Sequence, residues 1–146
     1  MLGIADPISS LTHLGGAVVF AVLGVGLLAR AYGDRARVTA VAVYVFGVVF
    51  ALGVSGVFHL VERATTARDV LLVVDHAAIF LLLAATDTPV HIVQFRGFLR
   101  WGVLTAGWML AVGGIVIKSL FFEDLPEWVS LTLYLGLGWV GLISAI

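Results

Sequence analysis

Hydrophobic residues run along this chain in five long blocks separated by four short polar stretches. The blocks cover roughly Leu14–Ala31, Val38–Leu60, Val70–Thr86, Trp101–Phe122 and Trp128–Ile146. Each approaches the length of about 20 residues that an α-helix needs to cross the hydrocarbon of a bilayer. Within a block the apolar residues are continuous rather than alternating, which argues against the strands of a membrane barrel. The pattern predicts an all-α, polytopic transmembrane helical bundle, one domain over residues 1–146. The links Tyr32–Arg37, Val61–Asp69, Asp87–Arg100 and Glu123–Glu127 are short, so consecutive helices are expected to be antiparallel neighbours. Pro7 falls near the first helix start, and Pro89 and Pro126 fall in links, so no proline interrupts an expected span. Trp101 and Trp128 stand at span entries, where amphipathic rings favour the lipid–water boundary. The stretch from Asp6 to Ser10 reads as a lead-in, with Ser9, Ser10 or Thr12 capping the first helix.

Composition narrows the solvent. The 146 residues are 62% hydrophobic and 12% charged, with a mean hydropathy of +1.16, whereas soluble domains carry about 25% charged residues. Such a chain cannot cover a globule with polar surface, so lipid must be its solvent. A net charge of −1 argues against nucleic acid, which calls for a concentrated basic face. There is no cysteine, hence no disulfide framework and no thiolate metal site. Residues 1–12 carry no Lys or Arg, so the first block is expected to stay in the mature chain rather than act as a cleaved signal. Five of the basic residues flank the Tyr32–Arg37 and Asp87–Arg100 links and three lie on the other side. That bias favours an outside N-terminus under the positive-inside rule.

Polar groups inside the blocks point to a site. Ser55-Gly-Val-Phe-His59 ends the second block, and Asp75-His76 lies near the start of the third. A carboxylate at the centre of a spanning helix costs about 2.5–3.5 kcal/mol on insertion scales, so an intramembrane Asp is a functional candidate by default. Antiparallel helices put His59 and Asp75 on one membrane side, with Asp75 about 7–8 Å past Val70 and Ser55 about 6 Å deeper than His59. Asp6, Ser9, His13 and the Glu123-Asp124 pair share that side. Gly47, Ala51, Ser55 and His59 recur every four residues, a stripe of small side chains along which a neighbour packs closely before meeting His59. Imidazole with carboxylate suits zinc, or a site that handles protons. No H-x-x-x-H pair exists in the chain, and His13 is one candidate partner. His76 projects about 100° from Asp75 and is expected to serve another contact. His91, placed in a link on the opposite side, is set aside. Lys118, near a span end, is expected to snorkel.

At these residues the chain resembles the hemolysin III proteins of the progestin and adipoQ receptor superfamily. Asp6-Pro-Ile-Ser9-Ser-Leu-Thr12-His13 is similar to the family's opening acidic-x-x-Asn-x-x-Thr-His, with Asp for Glu and Ser9 where Asn is common. Ser55-Gly-Val-Phe-His59 matches its Ser-x-x-x-His. Asp75-His76-Ala-Ala-Ile79 through Ala85-Thr86-Asp87-Thr88-Pro89 resembles its Asp-His-x-x-Ile…Gly-Thr-Tyr-Thr-Pro, with Asp87 at the Tyr position. The resemblance implies a seven-helix bundle of which five spans are present here. It implies zinc held by the second-helix His and an H-x-x-x-H pair on the seventh. Carried over, His59 is a metal ligand, Asp75 a metal or metal-water partner with a catalytic role, and Ser55 supports it. The histidines of the seventh helix are absent from this sequence, so His13 or a partner chain must supply further ligands. The resemblance also implies a cytoplasmic N-terminus, against the charge bias, in the plasma (inner) membrane.

Three functional readings follow. One is a zinc-dependent membrane hydrolase acting on lipid amide or ester bonds. The second is a pore-forming, cytolytic protein, although no span carries the repeated polar stripe that lines a water-filled path. The third is a receptor-like or structural module in which Asp75 and Ser55 hold helices together. The expected partners are the bilayer, a lipid substrate and further copies of the chain.

Overall fold

The structure, a computed structural model, describes residues 5–143. Five helices follow in order: α1 Pro7–Ala31, α2 Arg35–Leu60, α3 Thr66–Gln94, α4 Gly97–Leu120 and α5 Glu127–Ile143. The first four are long and apolar enough to cross a membrane, and α5 is described over 17 residues. The helical membrane bundle expected from the blocks is the fold observed, with no strand among the described residues. α1 packs on α2, α2 on α3 and α3 on α4, while α5 lies against both α3 and α4.

The helix starts are set by local chemistry. Asp34 caps α2 by accepting from the Ala36 and Arg37 amides at 2.9 and 3.2 Å, which satisfies N–H groups that have no intrahelical partner. Thr65 caps α3 in the same way through the Arg68 amide. The expected lead-in before α1 is instead its first turn, opened by Pro7 with Asp6 at the cap position. A proline serves well there because its missing N–H would be unpaired anyway. Ser10 does not cap. Its hydroxyl is buried and donates to the Gly56 carbonyl on α2 at 2.9 Å.

The link expected over Asp87–Arg100 is mostly helix. α3 continues through Pro89 to Gln94. A proline inside a helix frees the carbonyl four residues before it, a loss that membrane bundles absorb through nearby hydroxyls and neighbouring helices. Here Thr86 and Thr88 donate back to Leu82 and Ala84 at 2.8 and 2.7 Å, and the Trp108 indole on α4 donates to the Thr88 hydroxyl at 3.1 Å. Thr88, which reads as part of a loop, is thus paired inside the bundle.

Close approach of backbones holds the seams, as expected where lipid removes the hydrophobic drive between helices. A side chain at Gly47 would meet the Ala85 Cβ of α3 at 2.5 Å, and one at Gly56 would meet Leu14 of α1 at 2.6 Å. The two glycines are nine residues apart, about 180° around the helix at 3.6 residues per turn. α2 therefore offers opposite faces to α1 and α3. Beyond these seams, Phe80, Ala84, Ala111 and Leu137 form the core joining α3, α4 and α5.

Candidate functional site: a polar end of the bundle

One end of the bundle gathers the start of α1, the end of α2 and the start of α3. Asp6 ties them together. Its amide donates to the His59 carbonyl at 3.0 Å. Its carboxylate accepts from Arg63 at 2.6 Å, from Arg68 at 3.0 Å and from His59 Nδ1 at 3.4 Å. Hydrogen bonds from the Arg63 and then the Arg68 guanidinium hold this carboxyl well below its ordinary value of 3.8, at about 2, against a smaller opposing push from burial. Arg68 does more than neutralise. Its other nitrogen donates to the Phe58 and Val61 carbonyls at 3.1 and 2.7 Å, and its guanidinium lies 4.4 Å over the Phe58 ring. Those carbonyls end α2 and have no intrahelical donor.

His59 was expected to continue the stripe begun by Gly47. The structure turns it away. Steps of four residues advance about 400°, so three steps drift about 120° around the helix. Gly47 faces α3, whereas His59 faces α1, beside Asp6 and 5.5 Å from the His13 ring. Its partner also sets its tautomer. A carboxylate oxygen accepts only, so the Nδ1 of His59 carries the proton and, in the neutral ring, Nε2 keeps its lone pair. His13, His76 and His91 instead turn Nδ1 to the carbonyl four residues earlier, at Ser9, Leu72 and Asp87, at 2.7, 2.9 and 2.9 Å. The carboxylate-held imidazole at His59 is the arrangement that orients metal ligands elsewhere.

Asp75 and Ser55 lie half-buried on α3 and α2. No hydrogen bond joins Asp75 to Ser55 or His59 among the described residues. The Tyr134 hydroxyl of α5 donates to the His76 carbonyl at 3.2 Å, and the phenol lies within electrostatic reach of Asp75. The His76 ring meets Phe122 edge-on at 5.1 Å, so it does serve a separate contact. Lys118 does not reach outward as expected. It is only 6% exposed, with Nζ 4.3 Å over the Phe122 ring. His91, expected in a link, is 1% exposed inside α3, where its ring faces Phe95 at 5.2 Å.

Among the described residues no group of three or more His, Cys, Asp or Glu converges as a metal cage. The donor chemistry that remains fits zinc in part. His59 presents an Nε2 lone pair on a ring held at Nδ1 by a carboxylate, and His13 lies beside it. Asp6 is occupied by two guanidiniums, and Asp75 stands on a different helix, α3, with Tyr134 of α5 as its neighbour.

Sequence reasoning missed the clasp of Asp6 by Arg63 and Arg68. The signal was present. Antiparallel alternation places Asp6, Arg63 and Arg68 at the same membrane side, so opposite charges at that depth were bound to meet.

The fold and this end of the bundle define a multi-pass integral membrane protein with a polar, histidine-containing site at one membrane face. The chain belongs to the haemolysin-III-related family, whose match covers residues 4–146. It is 29% identical over 138 residues to Hemolysin-3 of Bacillus cereus, covering 93% of this chain and 62% of that protein. It is 30% identical over 128 residues to the Hemolysin-3 homolog of Bacillus subtilis (strain 168), covering 88% of this chain and 57% of that protein. The chain thus spans about three fifths of the length of these relatives. No solved structure matches it significantly.

Proposed function

We propose that this chain carries part of a zinc-dependent membrane hydrolase acting on amide or ester bonds of lipids, seated in the plasma membrane. The observation that carries the reading is His59: its Nδ1 is given to the Asp6 carboxylate, which leaves Nε2 free as a donor. Asp75 supports it, as a carboxylate within a lipid-spanning helix and without a hydrogen-bond partner among the described residues, at a position where an idle charge is costly. His59 would hold the metal, and Asp75 would accept the proton of the attacking water. Ser55, one turn deeper than His59, would orient the scissile group. A bound zinc would supply a Lewis acid and a water acidic enough to ionise near neutral pH. Arg68 and Asp6 fix the end of α2 and so the position of His59.

The test is zinc content together with hydrolysis of a fluorogenic fatty-acyl amide and ester by the purified chain in detergent. Wild type is expected to bind zinc and His59→Ala to lose it. Asp75→Asn should keep the metal and lose turnover. Turnover by Asp75→Asn at the wild-type rate would remove Asp75 from the chemistry, and wild type without zinc would sink the reading.

A second reading, cytolysis, is favoured by the names of the two relatives alone. Leakage of a dye from liposomes that is unchanged in both His59→Ala and Asp75→Asn would favour it over hydrolysis.

A further inference from the structure

At the membrane face opposite the Asp6 clasp, α1 and α3 end and α2 and α4 begin. Five arginines gather there: Arg30, Arg35, Arg37, Arg96 and Arg100. Asp34 is the one acid in the two links on this side, and it is occupied by the α2 cap and by Arg37 at 3.6 Å. Among the described residues the guanidiniums of Arg30, Arg35 and Arg96 have no hydrogen-bond or ion-pair partner. The start of α4 adds to the imbalance. Arg96 stands at its cap position, no side chain caps it, and its first turn holds no acid, although cations are unfavourable at the positive end of a helix dipole. This face is short of negative charge.

Beside the arginines a furrow runs between α2 and α4. Arg35 and Thr39 of α2 line its mouth, Trp101 and Leu104 of α4 form the facing wall, and Ile92 of α3 lies at its floor, enclosing about 390 Å³. Ala40, Ile92 and Leu104 pack together beneath it as a buried apolar cluster. Trp101 and Leu104 also open a second hollow of about 630 Å³, which continues down α4 past Trp108 and Met109 to Gly113. The helix rises about 18 Å from Trp101 to Gly113, a little more than one leaflet's share, about 15 Å, of the hydrocarbon core.

We propose that this furrow binds an anionic phospholipid of the adjoining leaflet, with its phosphate at Arg35 and one acyl chain laid along α4. A guanidinium offers paired donors that match a phosphate, and the Arg35 side chain is free to do so. Arg100, one turn above Leu104 on α4, spends its Nε on the Phe95 carbonyl at 2.8 Å and leaves its terminal nitrogens unpaired among the described residues. Trp101 and Met109 stay exposed along the furrow, Trp101 at the depth where amphipathic rings meet headgroups. The occupant must therefore carry a negative head and an apolar tail together. A soluble phosphate would fill only the mouth. Basic pockets between membrane helices suit acidic headgroups for the same reason. The furrow lies at the opposite face from His59 and near the other end of α3 from Asp75, so the inference rests on neither.

The experiment is quenching of tryptophan fluorescence by lipid with brominated acyl chains. The full chain carrying Trp128→Phe and Trp139→Phe, so that Trp101 and Trp108 report, is reconstituted in bilayers where either phosphatidylglycerol or phosphatidylcholine bears the bromine. An arginine near an anionic lipid is worth about fivefold in affinity, so phosphatidylglycerol is expected to be preferred by at least about fivefold. Arg35→Gln should lower that preference by about the same factor, and salt should weaken it by screening. Arg35 is exposed and unpaired, so its replacement is expected to leave the bundle intact, which far-ultraviolet dichroism checks. The converse chain, with Trp101→Phe and Trp108→Phe, leaves reporters on α5 alone and should show no preference. Equal quenching by the two lipids, a preference unchanged in Arg35→Gln, or the same preference from the α5 reporters would overturn the proposal. No quenching of Trp101 and Trp108 by either lipid would overturn it in favour of protein, such as a second copy of the chain, covering the furrow. Displacement of the lipid by soluble glycerol phosphate would also overturn it, since the charged head would then suffice without the chain.

Discussion

Two arginines hold one aspartate, and the structure says which of them matters for stability. Arg63 makes the shorter bond to Asp6, 2.6 against 3.0 Å, and does more to hold the carboxyl below its ordinary value. Its side chain, however, is 70% exposed. An exposed ion pair contributes about 0–1 kcal/mol, because water screens it and two long side chains must be ordered. The Arg68 side chain is 16% exposed. Removing it breaks the bond to Asp6 and strips two carbonyls at the α2 end of their donor. At about 1–1.5 kcal/mol for each of three bonds, less a discount for residual exposure, Arg68→Gln should cost about 3 kcal/mol. Arg63→Gln should cost less than about 1 kcal/mol. The assay is reversible unfolding by SDS in mixed micelles, followed by dichroism and by the fluorescence of the four tryptophans. Arg68→Lys is a useful third variant, since an ammonium cannot reach both carbonyls and the carboxylate with a planar fork; it should fall between the two. Equal losses for Arg63→Gln and Arg68→Gln would refute the reasoning, because distance would then outweigh burial and bond number.

Gly47→Ala should separate α2 from α3 at a cost of about 1–3 kcal/mol, as overpacking does, and Ala85→Gly in the same chain should recover most of it in the same SDS assay. Asp6 has its folded value lowered to about 2 from 3.8. Its contribution to stability is therefore present above pH 3.8 and lost as pH falls through about 2; Asp6→Asn should flatten that decline in acid unfolding curves. Trp108→Phe removes the indole donor to Thr88 and should cost about 1 kcal/mol, read as a lowered melting temperature in detergent.

Much of the architecture was legible because lipid imposes a length on helices. The apolar blocks marked all five, and the antiparallel order followed from short links. Helix ends were less visible. The third block was cut at Asp87 because Asp, Thr, Pro and His in succession read as a loop in isolation. The pairing of Thr88 with Trp108, twenty residues beyond it, depends on tertiary contact that no local pattern records. His59 was legible as a candidate but not its direction, since a spacing of four tracks a helix face for only a turn or two before rotation carries it elsewhere. Lys118 was misread for a related reason: the aromatic ring that covers it, Phe122, lies beyond the end of α4, and its placement over the ammonium is a contact that the expected link does not specify.

The order of helix packing has a consequence for biogenesis. α1 meets α2, α2 meets α3 and α3 meets α4, and only then does α5 settle against the two helices before it. Each span after the first therefore finds a partner already made when it leaves the ribosome. Closing such contacts requires short loops and little search, the condition under which chains assemble fast and few apolar faces wait unpaired.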